Sequence, residues 1–169
     1  AGAIDGKIYV VGGSTYHERG GYERGKMGTN KLEVYDPATD TWTTKTNMPT
    51  PRHDLAAGAI DGKLYVVGGW NGTDFAPALE VYDPATNTWS TKANMPTPRI
   101  NPAAVAIDGK LYVVGGRNVP PTTHCSSGCQ NYNTGLDVLE VYDPVTDTWS
   151  TKANMPTGRH GLAAVPIFG

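Results

Sequence analysis

The ten-residue phrase TW(S/T)TK(A/T)NMPT occurs three times in this chain, at Thr41 to Thr50, Thr88 to Thr97 and Thr148 to Thr157. A sequence that copies itself this closely folds as an array of equivalent units, each too small to bury its own apolar face and each covered by its neighbour. Every copy follows LEVYDP, at Leu32 to Pro37, Leu79 to Pro84 and Leu139 to Pro144, with ten residues from leucine to tryptophan each time. Upstream stands DGK(I/L)YVVGG, at Asp5 to Gly13, Asp61 to Gly69 and Asp108 to Gly116. One unit therefore reads turn, strand, double glycine, loop, strand, turn, strand.

The spacing between units is irregular in one place only. The tryptophans are 47 and 60 residues apart and the double glycines 56 and 47, yet the step from Trp42 to Gly69 equals that from Trp89 to Gly116 at 27. The loop after the double glycine absorbs all the difference, with 18 residues at Ser14 to Lys31, 9 at Trp70 to Ala78 and 22 at Arg117 to Val138. Insertions at one equivalent place emerge on one face of an array, commonly the binding face.

The local chemistry is that of β-structure. Asp5-Gly6, Asp61-Gly62 and Asp108-Gly109 lie between apolar runs, which predicts two-residue hairpins with positive φ at both central residues. LYVVGG carries apolar residues at successive positions, as a strand does when its sheet is covered on both faces. Glu33, Glu80 and Glu140 interrupt the next strand, and a glutamate between sheets needs a partner; the recurring Arg52, Arg99 and Arg159 are the candidates. The Asp-Pro-x-Thr-x-Thr segments supply turns, with proline fixing φ and aspartate bonding back to nearby backbone. A period of 47 residues with this content predicts β-propeller blades.

The set Gly12-Gly13, Tyr35 and Trp42, then Gly68-Gly69, Tyr82 and Trp89, then Gly115-Gly116, Tyr142 and Trp149 resembles the Kelch repeat, over nearly the whole chain. The resemblance implies an all-β fold of four-stranded antiparallel blades around a central channel. It divides residues 1–169, a single repeat array, into blade 1 at 1–50 with a truncated first strand, blade 2 at 51–97 and blade 3 at 98–157. Residues 158–169 are then expected to form a spare first strand of a further blade. Propellers have roughly 4 to 8 blades, so three leave two open faces, to be covered by self-association or by the remaining blades of a longer chain.

Net charge is −2 with both signs interspersed, which leaves no electrostatic footprint for nucleic acid or an anionic membrane. No apolar run approaches the roughly 20 residues of a membrane-spanning helix. Cys125 and Cys129, the two cysteines, share the longest loop with His124. A zinc site takes four ligands, so a local disulfide is expected instead, which places the protein outside the cell, secreted or at the cell surface. No metal site and no cofactor is expected. His53 and His160 recur at one repeat position and read as rim residues.

The Kelch resemblance places a ligand face on the loop after the double glycine and on the segment joining successive blades. The candidates there are Trp70, Asn71, Arg117 and Asn118 from the former, and Arg52, His53, Asp54, Arg99, Asn101, Arg159 and His160 from the latter. The arginines have a competing scaffold role because they recur with the repeat, whereas Asp54, Asn101 and Gly161 differ at one position, as where the scaffold does not dictate the residue. Tyr132 joins the set because the variable loops are rich in aromatics, asparagine and glycine, a composition of recognition surfaces. The expected function is a noncatalytic module that binds a protein or a glycan. The alternatives are a carbohydrate-active enzyme of the galactose oxidase or sialic acid epimerase type, and a purely architectural assembly protein. The chain holds no H-E-x-x-H, no G-x-S-x-G and no phosphate-binding glycine loop.

Overall fold

A computed structural model describes residues 1–16, 26–118 and 135–166. They form three four-stranded antiparallel sheets and one two-stranded ribbon. Blade 1 comprises β1 (Gly2–Ile4), β2 (Lys7–Val11), β5 (Leu32–Asp36) and β6 (Thr41–Thr44), with the ribbon β3 (Ser14–Tyr16) and β4 (Lys26–Gly28) inserted after its double glycine. Blade 2 comprises β7 (Ala56–Ile60), β8 (Lys63–Val67), β9 (Leu79–Asp83) and β10 (Thr88–Lys92), and blade 3 comprises β11 (Ala103–Ile107), β12 (Lys110–Val114), β13 (Leu139–Asp143) and β14 (Thr148–Thr151). No helix of the described residues is long and apolar enough to cross a membrane.

The Asp-Gly turns set the register. Asp5, Asp61 and Asp108 have φ of 49, 47 and 49° and the following glycines 74, 72 and 71°, so the turn is of the mirror-image kind that matches strand twist. It pairs Ile4 with Lys7, Ile60 with Lys63 and Ile107 with Lys110. The double glycine has a different cause. A Cβ on Gly68, whose φ is +70°, would stand 2.7 Å from the Arg99 carbonyl oxygen, and the Gly69 N–H donates to that oxygen at 3.0 Å. The connector entering the next blade thus crosses directly over the end of the second strand, and only glycine admits the approach.

The first strands β1, β7 and β11 lie beside one another, so the blades converge there and spread toward their fourth strands. Apolar cores fill the space between blades. Tyr9, Val11, Leu32 and Val34 of blade 1 pack on Leu64, Val66 and Tyr82 of blade 2, and Tyr65, Val67, Leu79 and Val81 of blade 2 pack on Leu111, Val113 and Tyr142 of blade 3. Each such aliphatic side chain contributes about 1.5–3 kcal/mol on burial. Near the outer edge, Tyr35, Tyr82 and Tyr142 stack on Trp42, Trp89 and Trp149 at 5.2, 5.3 and 5.3 Å. Their hydroxyls donate to Asp40, Asn87 and Asp147 at 2.8, 2.8 and 2.7 Å. In each proline turn the aspartate accepts a backbone bond two residues on, from Ala38, Ala85 and Val145.

Two of the arginine–glutamate pairs expected from the sequence are formed. Arg52 and Glu80 are 0 and 1% exposed, and the guanidinium donates to Glu80 Oε2 at 2.8 Å and to the carbonyls of Gly68, Ala78 and Val66. Arg99 does the same with Glu140, Gly115 and Val138. Burial pulls the pKa of both arginines below the ordinary value, and the facing glutamates oppose that shift. Arg52 and Arg99 are therefore scaffold, and their place in the expected ligand set is corrected: a guanidinium sealed between sheets is out of a surface ligand's reach. The other members of the series, Glu33 and Arg159, are exposed.

Residues 158–166 form no strand, in contrast to the expected spare strand at 158–169. A strand needs a neighbour to pair with, and the described residues hold no second strand of a further blade. Arg159 is nonetheless placed like its counterparts, its N–H donating to Leu136 and its carbonyl accepting from Gly116. Glu80→Gln leaves Arg52 buried without a counter-charge and is expected to cost about 3 kcal/mol, read as a lower urea midpoint at unchanged slope.

Candidate functional site

Antiparallel pairing sorts the connections to two ends. The Asp-Gly and proline turns lie at one end of each blade, and the variable loops and blade-to-blade connectors lie at the other. There each connector zips to the residue following the next double glycine. His53 and Trp70 exchange backbone bonds at 3.1 and 2.8 Å, and Ile100 and Arg117 do so at 3.0 and 2.9 Å. Ile100 is thus part of this face, at the repeat position that His53 and His160 occupy.

A second set of bonds runs from blade to blade. The Asn101 N–H donates to the Asp54 carbonyl at 2.8 Å, and the Gly161 N–H donates to the Asn101 carbonyl at 3.0 Å. These three residues have φ of 57, 52 and 64°. The variation Asp, Asn, Gly at this position, read from sequence as freedom from the scaffold, is a conformational constraint: these residue types tolerate the left-handed region best.

The side chains on this face divide by role. His53 is 7% exposed, and its Nδ1 lies 3.0 Å from Asp54 Oδ2, an ion pair when the imidazole is protonated. Trp70 meets Phe75 edge to face at 5.3 Å, which folds the short loop onto itself. Asn71 is exposed, but its Oδ1 accepts from the N–H groups of Thr73 and Asp74 at 2.9 and 2.8 Å, so its side-chain carbonyl shapes the turn. Arg117 is half-buried, with a buried Nε that makes no hydrogen bond among the described residues, and Asn118 is exposed. Asp54, Asn101 and His160 are half-buried and Arg159 is exposed. Cys125, Cys129 and Tyr132, with His124, lie outside the described residues. The structure therefore assembles His53, Asp54, Trp70, Asn71, Asn101, Arg117 and Asn118 at one end.

The opposite end carries a cleft of about 650 Å³ between blades 2 and 3, lined among others by Asp61, Lys63, Asp83, Asp108, Lys110 and Asp143. Much of its charge is spent internally. Lys63 lies 2.8 Å from Asp83 and Lys110 2.7 Å from Asp143, and the hydrogen bond from each lysine draws the aspartate pKa below its ordinary value. No cluster of three or more histidine, cysteine or carboxylate side chains among the described residues is arranged to hold a metal. Because Asn101 is chosen for its backbone, Asn101→Gly is expected to keep stability within about 0.5 kcal/mol and Asn101→Val to cost about 2 kcal/mol, measured by urea unfolding.

The family model of the KLHDC2/KLHL20/DRC7 Kelch-repeats domain matches residues 1–168. The chain is 38% identical over 68 residues to spermatocyte protein spe-26 of Caenorhabditis elegans, covering 40% of this chain and 11% of that protein. It is 36% identical over 69 residues to Kelch-like ECH-associated protein 1B of Danio rerio, covering 41% of this chain and 11% of that one. Over 66 residues it is 42% identical to the F-box/kelch-repeat protein At1g67480 of Arabidopsis thaliana, 39% of this chain and 15% of that one. The chain thus spans a small part of these relatives' lengths. The solved structure of YjhT superposes with a TM-score of 0.72 at 22% identity, over 94% of this chain and 53% of that chain. The double glycines, the tyrosine–tryptophan stacks and the buried arginines fall where three four-stranded blades require them, and with the family model spanning 1–168 the chain belongs to the Kelch-repeat family.

Proposed function

We propose that this chain is a noncatalytic recognition module that binds a protein partner with its loop-bearing end. The observation that carries this reading is the division of labour between the two ends. Backbone bonds fix the connectors at the loop end, while loop length varies there and nowhere else in the repeat. Trp70, Asn71, Arg117 and Asn118 stand on that frame, and aromatic, arginine and asparagine side chains on a rigid support are the usual anchors of a protein interface. One relative is named for its association with ECH, which supports a protein rather than a glycan as the partner class.

The probe is a set of binders selected from a phage-displayed random peptide library on the immobilised chain. The triple change Trp70→Ala, Asn71→Ala and Asn118→Ala is expected to weaken them more than tenfold, whereas Lys110→Ala in the opposite cleft leaves them unchanged. Binders indifferent to the first and lost with the second would place recognition at the other end. Retention on a glycan array with no peptide selected would replace the protein by a sugar.

An extracellular setting is part of the proposal and rests on Cys125 and Cys129. Thiol titration of unreduced protein in denaturant is expected to find no free thiol; two would remove the support for secretion.

A further inference from the structure

We propose that the two open sheet faces of this chain fit each other, so that two copies close head to tail into a six-bladed ring in which Arg159 of each copy pairs with Glu33 of the other. This stands independently of what the loop end binds.

Both internal junctions are built from the same polar contacts. At the first, Thr50 Oγ1 donates to Glu80 Oε1 at 2.8 Å beside Arg52, Trp89 Nε1 donates to the Thr46 carbonyl at 2.8 Å, and the Thr46 N–H donates to Asn87 Oδ1 at 3.1 Å. At the second, Thr97 donates to Glu140 at 2.8 Å beside Arg99, Trp149 to the Ala93 carbonyl at 2.8 Å, and the Ala93 N–H to Asp147 at 2.9 Å. One half of a third such junction is exposed on blade 3, in Ala153, Thr157 and Arg159, and the other half is exposed on blade 1, in Glu33, Asp40 and Trp42. The Arg159 carbonyl already accepts from Gly116 as those of Arg52 and Arg99 accept from Gly13 and Gly69. The apolar part is also waiting: Ile8 and Val10 are 44 and 37% exposed, where their counterparts Leu64, Val66, Leu111 and Val113 are 0%.

A second observation identifies a copy of this chain rather than an arbitrary blade as the occupant. Inside the array a glycine on the first strand receives a leucine from the next blade. A Cβ on Gly2 would lie 2.7 Å from Leu64 Cδ1, and one on Gly58 would lie 2.7 Å from Leu111 Cδ1. On blade 3 that glycine is replaced by Val105, which excludes a leucine held in the same way. The residue that blade 1 would bring to it is Ile8, the one member of its series that is not leucine. Two departures from the repeat, Val105 and Ile8, thus fall on residues that meet in the ring, and Val165 repeats the first of them.

The three blades superpose on 53% of a chain about twice as long, and six blades lie within the range of closed propellers. A head-to-tail interface that closes gives a finite ring, and one that does not gives filaments. In the ring, Arg159 enters beside β5 of the second copy, whereas Ala164 onward would meet the lane already held by Ala1 to Ile4. Residues 164–166 form no strand, and Pro166 has no N–H to give to one.

Light scattering on the 169-residue chain at two concentrations is expected to give twice the 18.0 kDa chain mass at both. Glu33→Lys and Arg159→Glu lie on exposed positions and are each expected to give monomers with unchanged circular dichroism. Mixed together they are expected to form a 1:1 dimer that dissociates more readily than the parent, because one of its two junctions is intact. A parent chain that stays monomeric, a dimer indifferent to both changes, a mixture that stays monomeric, or masses that climb with concentration would each overturn the proposal.

Discussion

A guanidinium buried between two sheets fixes most of what is distinctive here. Arg52 ties the end of the second strand, through Val66 and Gly68, to the start of the third, through Ala78 and Glu80, while its own backbone crosses the double glycine of the preceding blade. One side chain thereby sets where the connector enters, how closely two blades approach and where the variable loop departs. A buried ion pair is weak evidence for stability on its own, since desolvation offsets much of the attraction. Three carbonyls change that balance by occupying the other donors of the two terminal nitrogens, and the result is a position specified by hydrogen bonds rather than by shape.

The two ends of the blades use polar residues differently. At the turn end, lysine and aspartate pair with each other in every blade, at 2.8, 2.8 and 2.7 Å, so much of the charge in the cleft between blades 2 and 3 is already neutralised. At the loop end the backbone satisfies itself through the connector zips and the bonds from Asp54 to Asn101 to Gly161, which leaves side chains such as Arg117 and Asn118 free of scaffold duty. Recognition is cheap to evolve where the frame asks nothing of the side chains it carries, and that is the physical reason for placing it there.

The repeat made the strands, the turns and the Arg–Glu partnership legible, because each rests on local chemistry or on a charge that must be matched when buried. It was a poorer guide to the loop end. Variation at Asp54, Asn101 and Gly161 looked like freedom, since a positive φ leaves no mark on sequence other than a preference for those same three residue types. Arg52 and Arg99 were read as candidates both for the scaffold and for the ligand face, since burial is a property of the neighbouring blade. Asn71 looked like a contact residue, and half of its side chain turned out to hold its own turn.

By itself the sequence determined the unit: the hairpin register from Asp-Gly, the apolar strands covered on both faces, and the matched charges. All of these are decided within one period or by a demand that any neighbour must meet. Only the tertiary structure decided which member of each repeated set is spent and which is exposed. Glu80 and Glu140 are sealed while Glu33 is open, and Leu64 is buried while Ile8 is not. Near-identical residues differ in this way because burial belongs to the face a blade meets, and the end blades of an array meet fewer faces than the middle one.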